Sequence, residues 1–311
     1  MSKNFKVLVC DPVHEVGLKM LTESGFTVDF KPEINSNELK KVVGEYHALI
    51  VRGRTKISKD ILVAAENLKI IVRAGVGLDN IDLAAAEDLG ITVVNTPKAL
   101  TEAVAELTIG LMLSLARMIP YADRNMKEGK WSKKELMGWE LKGKTLGIVG
   151  FGRVGMRVAD IAKVFGMRII VHTRRPEIKP LDKYDAVALP LHEMLMKSDI
   201  VSLHVTLTPQ TRHMISEEEF KAMKDGIYLI NTSRGAIVDE KALLEALKSG
   251  KIAGAALDVY EVEPPTNMEL IRMPNVICTP HIGAQTVEAQ KTASIMAAEK
   301  IISFFKVKHP R

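Results

Sequence analysis

The sequence predicts an α/β protein built from two doubly wound parallel sheets. Three observations point there. Short, near-continuous runs of β-branched residues alternate with helical apolar periodicity along most of the chain, the pattern of parallel strands covered on both faces. One strand–helix junction, Lys144 to Gly155, carries the spacing G-x-G-x-x-G at Gly150, Gly152 and Gly155. The length, 311 residues, suffices for two domains of ordinary size.

In the N-terminal part, strands are expected at Lys6 to Cys10, Thr27 to Phe30, Ala48 to Val51, Leu68 to Val72 and Ile91 to Val94. Helices are expected between them at Glu15 to Glu23, Asn37 to Tyr46 and Lys59 to Asn67. Thr101 to Met118 reads as one long helix, with Thr101 as N-cap and Pro120 as its stop. It is apolar on more than one face, which suits burial between domains or against a second subunit, hence a homodimer. Thr145 to Val149 is then a buried strand, Val154 to Phe165 a helix and Arg168 to His172 a strand. Further strands follow at Ile200 to Val205, Ile227 to Asn231, Ala253 to Val259 and Val276 to Thr279, with helices at Glu217 to Met223 and Glu240 to Lys248. The last helix, Val287 to Phe305, is expected to cross back to the first domain. The expected domains are therefore 1–97 plus 285–311, discontinuous, and 98–284.

Composition excludes several classes. Hydrophobic residues at 47% and charged residues at 26% argue against disorder. The net charge of +5 is spread without a Lys/Arg block, so no nucleic-acid partner is expected. The start M-S-K-N-F-K has no signal-peptide core, and no apolar run reaches membrane-spanning length, so the expected location is the cytoplasm, off the membrane. Cys10 and Cys278 sit in or beside expected strands as small hydrophobes, and no Cys/His pair has metal-ligand spacing.

The glycine-rich junction carries the first functional reading. Gly150 permits a tight turn, Gly152 lets backbone approach a pyrophosphate, and Gly155 lets helix and strand pack. The following helix start offers N–H groups and a positive dipole end to phosphates. A dinucleotide is thus the expected ligand. Ligands in such folds bind beyond the carboxyl ends of strands. Those positions hold Arg52, Arg54 and Lys56, then Arg73, Gly75 and Gly77, then Arg234, then Glu261 and Glu263, then His281. Each has a bland alternative: arginines pair with surface carboxylates, the glutamates could be solvated, and His281 competes with His172, His204 and His213. Spacing does not choose among them.

The stretches R-A-G-V-G-L-D-N-I-D at 73–82, N-T-P at 95–97, G-F-G-R-V-G at 150–155, N-T-S-R-G at 231–235, D-V-Y-E-V-E-P-P at 258–265 and T-P-H-I-G-A at 279–284 resemble the D-isomer-specific 2-hydroxyacid dehydrogenases, in order and along essentially the whole chain. Residues 127–147 and V-R-G-R-T-K at 51–56 are similar to the phosphoglycerate dehydrogenase branch of that family, in the short form without a C-terminal regulatory domain. The resemblance implies a Rossmann-type dinucleotide domain and a flavodoxin-like substrate domain with a cleft between them. It implies His281 as general acid/base, Glu263 as its carboxylate partner and Arg234 as the residue that binds the substrate's carboxylate and carbonyl oxygen. Chemistry agrees: an imidazolium donates a proton to a carbonyl oxygen receiving hydride at its carbon, and a guanidinium fork holds a carboxylate.

The resemblance also implies cofactor contacts at Gly150, Gly152, Arg153, Val154, Gly155, Val205, Thr232, Ser233, Gly283 and Ala284, with Asp258 binding the nicotinamide carboxamide. Substrate contacts fall to the backbone of Val76 and Gly77, to Arg73, and to Arg52 or Arg54 for a substrate phosphate, with Lys56, Lys133 and Lys134 as further cations. One departure stands out: Thr173 occupies the family's Asp position at the second strand's end, followed by Arg174 and Arg175. A carboxylate there repels a 2′-phosphate and arginines attract it, so NADP is favoured over NAD. The implied reaction is oxidation of 3-phosphoglycerate to 3-phosphohydroxypyruvate, the first step of serine biosynthesis. The alternative is an NADPH-dependent glyoxylate or hydroxypyruvate reductase. Co-regulator relatives of the fold are a third class, disfavoured because all three catalytic positions are filled.

Overall fold

The computed structural model describes residues 5–308. The chain divides into two units, Met1–Leu100 with Ala284–Arg311, and Thr101–Gly283. The first unit runs β1 (Lys6–Val9), α1 (Glu15–Glu23), β2 (Thr27–Phe30), α2 (Ser36–Val42), β3 (Ala48–Val51), α3 (Lys59–Val63), β4 (Ile70–Arg73), α4 (Leu83–Asp88) and β5 (Thr92–Asn95). Its five strands are parallel in the order β2-β1-β3-β4-β5, the flavodoxin-like order whose switch point lies between β1 and β3. The strands formed where apolar runs predict them; the helices differ more. The helix expected to Tyr46 ends at Val42 and continues as a single 3-10 turn, Val43–Glu45. Its start is fixed by a capping box in which Asn35 accepts the Glu38 N–H and the Glu38 carboxylate accepts the Asn35 N–H. Helix α4 is not anticipated from periodicity; Asp82 caps it by accepting the Ala85 N–H at 3.0 Å.

The switch-point crevice of this unit is filled by the chain itself. Asp11, 1% exposed, follows β1 and accepts the Arg52 N–H, the Thr55 N–H at 3.3 Å and the Thr55 hydroxyl at 2.7 Å. Arg54 Nε lies 3.2 Å from its carboxylate. The Arg54 guanidinium also donates to the carbonyls of Cys10 at 2.6 Å, Ile34 at 3.2 Å and Pro32. Asn80 ties the loop down through the carbonyls of Arg52 and Thr55. Arg54, one of the cations expected at a substrate phosphate, here bonds its own loop while its side chain stays 42% exposed.

The second unit opens with α5 (Thr101–Arg117) and α6 (Ile119–Lys127). It continues β6 (Thr145–Val149), α7 (Arg153–Val164), β7 (Arg168–His172), β8 (Val187–Ala188), α8 (Leu191–Lys197) and β9 (Ile200–Leu203). Then come α9 (Glu217–Ala222), β10 (Ile227–Asn231), α10 (Glu240–Lys248), β11 (Ile252–Leu257), α11 (Met268–Ile271) and β12 (Val276–Cys278). Its seven strands are parallel in the order β12-β11-β10-β9-β6-β7-β8, a Rossmann-type winding with its switch point between β6 and β9. Two expectations for α5 need correction. Thr101 lies inside the helix rather than capping it. Pro120 does not stop it; Pro120 sits in the first turn of α6, where a missing N–H costs nothing, and the break is Met118 in the left-handed region at φ +53°. The apolar faces of α5 are explained by α7 and by β10, β11 and β12 of its own unit. No single helix among the described residues is long and apolar enough to cross a membrane; α5 and α6 reach the length only together, bent by 64°.

The last helix, α12 (Val287–Lys308), belongs to the first unit. It crosses α1 so closely that a Cβ on Gly17 would fall 2.4 Å from Ser294 Oγ. That hydroxyl donates to the His14 carbonyl at 2.6 Å, and Phe305 packs on Phe5 and Phe26.

Two measurements follow from the Asp11 network. An Arg54→Ala chain should lose about 2 kcal/mol of stability in urea denaturation, less than the figure for a fully buried pair because Arg54 stays 42% exposed; an unchanged midpoint with a raised KM would instead make Arg54 a substrate ligand. Cys10 is a free thiol that burial, aided by Asp11 and opposed by Arg54, pushes up to about 12. The ordinary value is 9.0, so above it the unfolded chain loses a proton that the folded chain keeps, and stability falls as pH rises towards 12. Cys10→Ala should flatten that alkaline decline; parallel curves for the two chains would contradict it.

Candidate active site

The glycine-rich turn joins β6 to α7 at the second unit's switch point. Gly150 has φ +96°, and a Cβ there would lie 2.6 Å from the His204 carbonyl oxygen and 2.8 Å from Val205 Cγ1 at the end of β9. A Cβ on Gly155 would lie 2.2 Å from the Gly150 carbonyl oxygen, so its absence lets α7 close onto the turn. At Gly152 a Cβ would meet nothing within 4 Å. Gly152 is also the N-cap of α7 and supplies no side-chain acceptor, so the first N–H groups of a twelve-residue helix face an open approach beside the exposed Arg153 and half-buried Val154. These residues fit a pyrophosphate. At the end of β7, Thr173 is half-buried while Arg174 and Arg175 are exposed, and neither guanidinium has a hydrogen-bond or ion-pair partner among the described residues.

The competing histidines sort themselves. His204 bonds Ser202 Oγ through Nε2 at 2.8 Å, and burial pushes its pKa down to about 3, so it is neutral at physiological pH. His172 Nδ1 lies 3.2 Å from the Leu189 carbonyl oxygen. His213 Nε2 lies 3.1 Å from Glu261. His281 remains, with Nδ1 at 2.7 Å from Glu263 Oε2 and its side chain 46% exposed. Nε2 has no protein partner among the described residues. The backbone of His281 is left-handed at φ +53°, which costs a non-glycine residue about 1–2 kcal/mol.

That conformation is held by Asp258, which follows β11 and is 1% exposed. Its carboxylate accepts the Thr279 hydroxyl at 2.6 Å and the N–H groups of Ile282 and Gly283, each at 2.8 Å. Its carbonyl accepts the His281 N–H at 2.9 Å. The expected contact of Asp258 with a nicotinamide carboxamide would have to compete with three protein donors.

Glu263 is oriented from both sides, since Oε1 accepts the Tyr260 N–H at 3.2 Å. Burial pushes its carboxyl up, but the His281 hydrogen bond and charge, the Tyr260 N–H and the Arg234 guanidinium outweigh it and hold it below the usual carboxylate range. Arg234 follows β10 in extended conformation, φ −142°. The buried Asn231 shapes this turn: Nδ2 donates to the Arg234 carbonyl at 2.9 Å, and Oδ1 accepts the Ser233 N–H and hydroxyl. Thr232 shares a hydrogen bond with Thr108 of α5 at 2.9 Å.

The second unit therefore brings Arg234, Glu263 and His281 together, with Thr232, Ser233, Asp258 and Gly283 around them. The turn Gly150–Gly155, Val205 and Thr173 to Arg175 lie along the carboxyl ends of the same sheet. Lys133 and Lys134 are exposed in the loop after α6. Arg52, Arg73, Val76, Gly77 and Ala284 belong to the first unit. There Gly75 has φ +152° and packs on Arg73, whose Nη1 would lie 1.4 Å from a Cβ. Asn95 Nδ2 donates to the Val76 carbonyl, and the N–H groups of Val76 and Gly77 have no hydrogen-bond partner among the described residues.

Comparison with known proteins shows what the chain is similar to. Residues 109–283 match the family described as "D-isomer specific 2-hydroxyacid dehydrogenase, NAD binding domain". The chain is 47% identical over 300 residues to a D-3-phosphoglycerate dehydrogenase of Methanocaldococcus jannaschii, covering 95% of this chain and 56% of that one. It thus spans a little over half the length of the phosphoglycerate dehydrogenases that head its matches. It is 46% identical over 300 residues to a hydroxypyruvate reductase of Thermotoga maritima, covering 96% of this chain and 97% of that one. The D-lactate dehydrogenase of Aquifex aeolicus, solved with NAD and lactic acid, superposes with a TM-score of 0.85 at 32% identity, over 97% of this chain and 96% of that one. With identities of this size running along nearly the whole of this chain, it belongs to the D-isomer-specific 2-hydroxyacid dehydrogenase family.

Proposed function

We propose that this chain is an NAD(P)-dependent dehydrogenase of D-2-hydroxy acids that interconverts 3-phosphoglycerate and 3-phosphohydroxypyruvate. The carrying observation is the 2.7 Å contact of His281 with Glu263, with Arg234 close enough to bias the same carboxylate. Gly150, Gly152 and Gly155 and the α7 start hold the dinucleotide, which supplies the hydride acceptor or donor when bound. Arg234 grips the substrate carboxylate and polarises the neighbouring carbonyl. In the first unit, the unpaired N–H groups of Val76 and Gly77 offer donors suited to an anion. In the oxidative direction His281 Nε2 takes the hydroxyl proton, and in the reductive direction it returns that proton. Glu263 accepts from Nδ1 throughout, which fixes the ring and favours the imidazolium as it forms.

Thr173 brings no carboxylate to the ribose, and the free Arg174 and Arg175 suit a 2′-phosphate, so NADPH is the preferred form. A second reading, a reductase of hydroxypyruvate or glyoxylate, is favoured by the loop contacts of Arg52 and Arg54, whose guanidiniums donate to the carbonyls of Pro12, Cys10, Pro32 and Ile34. The relative named a hydroxypyruvate reductase supports it too. Exposed Ile119, Met126, Trp131 and Met137 on α6 and the loop after it support self-association as a dimer.

Initial rates with 3-phosphohydroxypyruvate, hydroxypyruvate and glyoxylate, each with NADH and NADPH, test the reading. Strong preference for the phosphorylated acid is expected; equal or better turnover of the other two hands the chain to the second reading. Replacing Arg174 and Arg175 by Ala should raise KM for NADPH about tenfold per arginine, ~1.4 kcal/mol each, and leave NADH nearly unchanged. Equal losses with both cofactors would remove the 2′-phosphate role.

A further inference from the structure

The second unit has two left-handed histidines, and each meets one glutamate of the same short segment. His281 at φ +53° meets Glu263, and His213 at φ +50° meets Glu261. The proposed chemistry uses only the first pair. The second pair is part of a clasp. Glu261 Oε1 accepts the N–H of Glu240, the first residue of α10, at 3.1 Å. Glu240 Oε1 in turn accepts the N–H of Glu261 at 2.7 Å. Each carboxylate thus satisfies the other's backbone, which ties α10 to the segment after β11. Arg212 lies 4.0 Å from the same Glu261 oxygen that faces His213. Gly235 also presses on the segment: a Cβ there would fall 1.8 Å from the Tyr260 carbonyl carbon and 2.4 Å from the Glu261 nitrogen. Gly235 directly follows Arg234, so the clasped segment and the substrate-binding turn are packed backbone to backbone.

We infer that Glu261 is a positioning residue for the reaction. Held by its two hydrogen bonds with Glu240, with His213 Nε2 3.1 Å away, it fixes the Tyr260–Glu263 backbone, from which the Tyr260 N–H and the Glu263 carboxylate are presented to one another and to His281. The inference rests on the acid/base reading of His281 and Glu263. A displacement of the segment by about 1 Å is enough to cost on the order of 100-fold in rate when a catalytic pair must be aligned.

The test is a double-mutant cycle on the full chain, using NADPH and the oxo acid it reduces best. Glu261→Ala is expected to lower kcat about 10- to 100-fold with KM for NADPH held within about threefold. Glu261→Gln keeps an oxygen for the Glu240 N–H and should recover kcat to within about threefold of the parent. Because Glu261 acts through Glu263, Glu261→Ala combined with Glu263→Gln should be no slower than Glu263→Gln alone, within about twofold. Multiplying effects, or a Glu261→Ala chain that turns over like the parent, would overturn the inference. If Glu263→Gln itself turns over like the parent, the acid/base reading falls and takes the inference with it. Should Glu261→Ala not fold, Glu240→Ala removes the acceptor of the Glu261 N–H and enters the same cycle with the same expected non-additivity.

Discussion

A buried carboxylate without a countercharge must be met by several donors, and Asp258 meets that requirement in a way that shapes the site. Its three donors all come from Thr279 to Gly283, the loop that carries His281. Moving the loop would strip donors from a carboxylate that water cannot reach, a cost that exceeds the strain of a left-handed histidine. The unusual backbone of His281 is therefore over-determined by its surroundings, and the direction in which the imidazole meets Glu263 follows from it.

The two sheets use the same winding for opposite ends. Each has a switch point where two loops part beyond the strand ends. In the first unit the gap between β1 and β3 is closed by Asp11, Arg54 and Thr55, so side chains occupy the place where a ligand of that topology would sit. In the second unit the gap between β6 and β9 is kept clear by glycines. Gly150 can lie against the end of β9 only without a side chain, and Gly152 leaves the start of α7 bare. An open helix start with no internal acceptor is an anion site by default.

Much of this was legible from the residues, and the rest was not for identifiable reasons. Strands such as Ala48–Val51 and Thr145–Val149 are bounded as their apolar runs indicate, because a parallel strand covered on both faces is buried at every position. Helices α4, α8 and α11 are too short to show periodicity; α4 and α11 rest on the local caps Asp82 and Asn267. Pro120 reads equally as a stop or as a start, and only the left-handed Met118 decides. Spacing alone does not separate Glu261 from Glu263; only the resemblance, through the glutamate that precedes Pro264, does. Their partners lie at His213 and Glu240 for one and His281 for the other, and a short motif carries no information about contacts across such separations. The loop contacts of Arg54 are hidden for the same reason: its carbonyl acceptors at Cys10, Pro32 and Ile34 are backbone groups that no side-chain pattern advertises.

The close crossing of α1 and α12 bears on the order in which the chain acquires structure. Ser294 and His14 are separated by 280 residues, yet they share a hydrogen bond in a contact so tight that residue 17 must be glycine. The unit Thr101–Gly283 is continuous and has everything it needs once its last strand is made. The unit that begins the chain must wait for the helix that comes after that strand. On a ribosome delivering residues from the N-terminus, the later unit can therefore finish folding before the earlier one, with the exposed face of α1 left uncovered in the interval.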